Sequence, residues 1–142
     1  MTYTHLYKKR IGPWGLVARI SLDVAAMDEA PSGARRVEGG AAVWWVPPRG
    51  MVAEDERWMA FGLGLVAGQL DAVRGGSPAL VVTVVEWDVP MLTDYQEEVA
   101  AAAVIACLQE GFGIEGVATG LAFDRERNRY TFTWGGQQER RA

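Results

Sequence analysis

The sequence predicts an α+β fold: two helices packed on a mixed sheet, in the order β-β-β-α-β-α followed by a C-terminal β-hairpin. Three observations predict it. Leu16 to Ala26 alternates with period 2, the apolar stripe Met59, Leu63, Val66, Leu70, Val73 has helical spacing, and Ala79 to Trp87 (ALVVTVVEW) is apolar on both faces until Glu86.

Tyr3 to Arg10 reads as a short first strand, and Gly12-Pro13-Trp14-Gly15 as a turn, because Pro presets φ and Gly accepts unusual φ values. In the second strand Leu16, Ala18, Ile20, Leu22 and Val24 share one face, with Arg19, Ser21 and Asp23 on the other. Asp28 to Gly33 is a loop. Arg36 to Val46 resumes a strand pattern, with Gly39-Gly40 predicting a bulge or bend, and Pro47-Pro48-Arg49-Gly50 ends it. Glu54, Asp55 and Glu56 would complement a helix N-terminus, and the helix runs from Arg57 to the stop at Gly75-Gly76. Gly62, Gly64 and Gly68 inside it each cost ~1 kcal/mol relative to Ala, which predicts close approach to a sheet or second helix. Ala79 to Trp87 is expected at the centre of the sheet. Thr93 with Gln96, or Asp94 with Glu97, caps the next helix, which runs through Ala100–Ala103 to Glu110 and stops at Gly111. Gly116 to Phe123 and Arg129 to Trp134 form the hairpin about a turn at Arg125 to Asn128, with Tyr130, Phe132 and Trp134 on one face. The tail from Gly135 is expected to fray.

At 142 residues the chain suits one domain spanning 1–142. A formal net charge of -4 argues against a nucleic-acid binder driven by overall charge. One cysteine, Cys107, excludes an intrachain disulfide and a zinc site built on several thiolates, and one histidine, His5, excludes sites needing two imidazoles. No apolar run approaches the ~20 residues that cross a bilayer, and no signal-peptide pattern opens the chain, so a soluble cytoplasmic protein is expected.

The stretch from Val46 to Phe112 resembles domain IV of elongation factor G, and the element order resembles the ribosomal protein S5 domain 2-like fold. The matching parts are Val46-Pro47-Pro48-Arg49, the helix ending at Gly75, Val81 to Trp87, the acidic turn Asp88 to Asp94, and Val99 to Phe112. The resemblance implies architecture and covers about half the chain. No P-loop is present, and Gly62-Leu63-Gly64-Leu65 lacks the serines of the phosphate loop in kinases sharing that fold, so neither activity carries over.

Few residues carry chemistry. Gly62-x-Gly64-x-x-x-Gly68 has the wrong spacing for a dinucleotide fingerprint and reads as packing. Cys107, mid-helix, reads as a buried structural thiol, and His5 as an exposed or edge-strand side chain. Glu86 and Asp88 share a strand face and Asp94 follows, which makes them candidates for acid–base work or a divalent cation, against the plainer reading of a solvated strand end. Trp44 and Trp45 are adjacent on a strand and point to opposite faces, so one is expected in the core and the other is available beside Arg49. Arg125, Arg127 and Arg129, interleaved with Asp124 and Glu126, read as a solvated turn.

These readings lead to a small protein that binds another protein without catalysis, of the immunity-protein or regulatory-adaptor kind, and without cofactor or metal. Its contact surface is expected at Trp44, Trp45, Arg49, Glu54, Asp55 and Glu56, the acids steering a basic partner. The alternatives are a small enzyme or ligand-binding protein using Glu86, Asp88 and Asp94, and a ribosome- or RNA-associated module.

Overall fold

A computed structural model describes residues 1–90, 95–115 and 117–135. The caps expected from Thr93 and Asp94, the first residue of the expected hairpin and all but the first residue of the tail lie outside the described residues. Strands β1 (Thr2–Arg10) and β2 (Gly15–Met27) form an antiparallel pair, and β2 pairs antiparallel with β5 (Ala79–Asp88). The segment expected as one strand from Arg36 to Val46 is instead β3 (Arg35–Arg36) and β4 (Val43–Val46), turned back on each other. Gly39, at φ +93°, makes the reversal, and the Val37 N–H closes it on the Val43 carbonyl at 2.8 Å. β4 pairs parallel with β5, giving a mixed sheet of order β1-β2-β5-β4-β3 with the strand apolar on both faces at its centre.

The β4-to-β5 crossover is helical, as parallel pairing requires. It begins at Ala53, ahead of the expected Arg57, and is two helices: α1 (Ala53–Leu65) and α2 (Ala67–Arg74), ended by Gly75. The break falls at Val66 (φ -113°, ψ 15°), within the run of glycines that lowers the helix's resistance to bending. Gly62 has its predicted reason: a Cβ there would lie 2.9 Å from the Ala101 backbone and Val104 on the next helix. Gly68 does not, since its surroundings are open.

Helix α3 (Val99–Phe112) ends two residues later than expected, at Gly113 (φ +66°), whose N–H caps the Leu108 carbonyl. Gly111 lies within the helix, a glycine because the Tyr3 ring occupies the space a Cβ would need. From Val99 to Ile105 every side chain of α3 is buried, the mark of a helix enclosed on all sides. β1, β2 and α1 pack against it, and the hairpin of β6 (Thr119–Asp124) and β7 (Arg129–Trp134) stands across a cleft from Ala102 and Ala106. The hairpin is fastened at three points. Gln96 accepts from the Tyr130 amide (2.8 Å) and donates to its carbonyl (2.7 Å), as a strand neighbour would. The Tyr130 hydroxyl accepts from the Ile11 and Gly12 amides and donates to the Trp14 carbonyl, holding the β1–β2 turn. Trp134 packs against Trp58 and Phe61 of α1. Among the described residues no helix is long and apolar enough to cross a membrane.

Candidate functional site

The tryptophan pair divides as strand geometry requires. Trp45 faces the helices and is 2% exposed, while Trp44 is half-buried on the opposite face of the sheet, beside Val81 of β5. Each carries an arginine from β3: the Arg36 guanidinium stands 5.5 Å from the Trp44 ring and that of Arg35 stands 5.9 Å from Trp45. Trp45 is therefore a core residue and drops out of the expected contact surface. Arg49 is exposed in the turn that follows Pro47-Pro48. The three acids stand in the first turn of α1, and each is engaged within the chain. Glu54 pairs with Arg57, Glu56 pairs with Arg35 at 2.8 Å, and Asp55 accepts the Tyr95 hydroxyl at 2.9 Å. Burial, followed by the Asp55 carboxylate, pushes the Tyr95 phenol upward, so it remains a donor. Acids neutralised in this way leave Arg36, whose guanidinium otherwise meets only the Gly40 and Ala41 carbonyls, and Arg49 as the charges beside Trp44.

Glu86 and Asp88 share a face as their spacing predicts, both lying beyond a bulge at Val85, with Ser21 paired to Glu86 and Arg19 to Asp88. Glu86 lies in a polar row across three strands. The Thr4 and Ser21 hydroxyls are 2.7 Å apart, Ser21 donates to Glu86 at 3.1 Å, and Arg19 stands 3.5 Å from it. Asp94 lies outside the described residues. No group of three or more His, Cys, Asp or Glu side chains among the described residues is placed to hold a metal.

A second site was not expected from the sequence. The inward side chains of β1 (His5, Tyr7, Lys9) and Ile11 beyond it form one wall of a cleft of about 600 Å³, Ala102 and Ala106 of α3 line it, and Thr119, Gly120, Leu121 and Phe132 of the hairpin form the other wall. One end is built on Glu110. Its Oε1 accepts the Tyr3 hydroxyl at 2.7 Å and lies 3.1 Å from His5 Nδ1. These two bonds, Tyr3 first, hold the Glu110 carboxyl below its ordinary value. With Nδ1 turned to Glu110, His5 keeps Nε2 as the free ring nitrogen. His5 is on the edge strand, but its side chain is only 15% exposed. Cys107 is buried beside it, its thiol donating to the Tyr3 carbonyl at 3.6 Å and pushed up to about 12, chiefly by burial.

The signal for this cleft was present in the period of β1, which places Tyr3, His5, Tyr7 and Lys9 on one face. What the sequence lacks is the register that brings Glu110 to them. No protein-family model matches the chain, and no curated protein matches it.

Proposed function

We propose that this is a binding protein without catalysis of its own, and that another protein docks on the helix-free face of the five-stranded sheet around Trp44. The observation that carries the reading is β5. Strands apolar on both faces are usually covered on both, yet among the described residues the helices lie on one side only. The other side presents Ala25, Met27, Val46 and Val85 with the half-buried Trp44; Val85 is 57% exposed, while Val81 beside Trp44 is fully buried. Tryptophan and arginine are the residue types that most often dominate protein contacts. Since Glu54, Asp55 and Glu56 are spent on Arg57, Tyr95 and Arg35, the charges beside Trp44 are those of Arg36 and Arg49, while Glu86 and Asp88 stand on the same face at the far end of β5. The partner inferred is therefore one with acidic residues around an apolar contact, in place of the basic partner the sequence suggested.

A photo-reactive residue at Val85 tests the face, with one at Val73, exposed on α2, as the control. Cross-links from Val85 and not Val73 support it. With the captured partner, Trp44→Ala should cost ~2 kcal/mol of affinity, and Arg49→Glu should slow association in a salt-dependent way without changing the melting temperature. Cross-links confined to Val73, or unchanged affinity in both variants, would sink the proposal.

A further inference from the structure

We infer that the cleft between β1, α3 and the hairpin is a second, small-molecule site, and that it takes a medium-chain carboxylate carrying a hydroxyl at its far end. Its volume of about 600 Å³ lies within the usual range for ligand sites. It is elongated, since it follows β1 from His5 to Ile11, a span of roughly 20 Å at the rise of an extended strand. Between the ends Ala102, Ala106, Leu121 and Phe132 supply apolar contact, with Tyr7, Gln109 and Thr119 among them as polar groups.

The two ends differ. At one, the exposed Lys9 side chain carries its ammonium over the Tyr7 ring, 5.9 Å from its centre, and no carboxylate of the described residues lies within ion-pair reach of it. A lysine amine on the apolar wall of a cleft is a point charge suited to one anionic head group. At the other end His5 is oriented by Glu110, which is itself fixed by Tyr3. Nε2 is thereby left as the ring nitrogen that can meet a ligand, and a hydroxyl can serve it as donor or acceptor. An apolar chain joining an anion to a hydroxyl satisfies both ends and the middle. A cationic head group would meet Lys9 unfavourably, and an uninterrupted alkyl end would leave Nε2 without a partner.

The probes are 10-hydroxydecanoate and decanoate, titrated calorimetrically into the intact chain while the imidazole resonances are followed by NMR. His5 is the only histidine, so those resonances need no assignment. Saturable one-to-one binding of 10-hydroxydecanoate that shifts the His5 signals is expected, with decanoate roughly tenfold weaker for want of the hydrogen bond. Lys9→Met keeps the apolar stem and should weaken both probes about tenfold. His5→Phe should make the two probes equal. No saturable binding, unmoved His5 signals at saturation, equal affinity of the two probes for the native chain, or Lys9→Met binding at full strength would each overturn the proposal.

Discussion

Replacing Gly62 with alanine tests the α1–α3 contact, because two opposing terms can be worked out. In a helix interior alanine is favoured over glycine by ~0.8–1 kcal/mol. Against that, a Cβ at Gly62 would stand 2.9 Å from the Ala101 Cα, the Ala101 carbonyl oxygen and Val104 Cγ1. Two of those three are backbone and cannot swing aside, so the helices must separate. Overpacking of this kind costs typically ~1–3 kcal/mol, and the rigid neighbours place this site toward the upper end. The expected net effect is destabilisation of about 1–2 kcal/mol. With unfolding entropy near ~2.1 cal/mol/K per residue over 142 residues, that lowers the melting temperature by about 3–7 °C. Gly68→Ala is the matched control: it lies in α2 with nothing within 4 Å of the added carbon. It should raise the melting temperature by about 2–3 °C from propensity alone. Calorimetry of the two variants side by side decides. If Gly62→Ala melts at or above the parent, the close approach does not exist and the reasoning fails.

Gln96→Leu fits the buried volume but leaves the Tyr130 amide and carbonyl without their partner; denaturant titration should show a loss of ~2–4 kcal/mol, and a loss under 1 would mean the hairpin is not fastened there. Asp71 is held below the ordinary aspartate value first by the Ala41 amide, then by the Ala42 amide and Arg74. A depressed carboxyl stabilises the fold above its unfolded value of ~3.9 and loses that contribution as pH falls through the folded one. Asp71→Asn should therefore be less stable than the parent in urea at neutral pH, with the gap closing in strong acid; a gap independent of pH contradicts the assignment. Cys107, its thiol pushed up to about 12, should be alkylated by iodoacetamide only as fast as the protein opens, and rapid labelling of the native chain would show the site accessible.

The fold was legible where the chain repeats a period. Leu16 to Val24 and Ala79 to Val85 announce β2 and the central β5 because each residue's face depends only on its own strand. Glycine was the ambiguous letter. Gly39-Gly40 signals a bulge, a bend or a full reversal equally well, and only the pairing of Val37 with Val43 decides for reversal. Gly111 and Gly113 could each stop α3; Gly113 does so at φ +66°, and Gly111 serves instead to admit the ring of Tyr3, from the other end of the sequence. The candidate sites failed to show for the same reason. An acid in a sequence has a charge but no partner, so Glu54, Asp55 and Glu56 read as free steering groups until Arg57, Tyr95 and Arg35 are seen beside them. Local periodicity turns His5 to the helix side of β1, but nothing in either segment says that it meets Glu110, which stands 57% exposed on α3.

The enclosure of α3 also governs how the molecule comes apart. Every side chain from Val99 to Ile105 is buried, so β1 or α1 cannot detach without wetting part of this segment, although Ala102 and Ala106 already line the cleft beneath the hairpin. Opening either element therefore exposes core surface of the helix. The slowest amide protons to exchange should accordingly cluster in α3, at a rate set by global opening. β1 and the hairpin, far apart in sequence, border the cleft on this helix from opposite sides, so loosening either should speed exchange there.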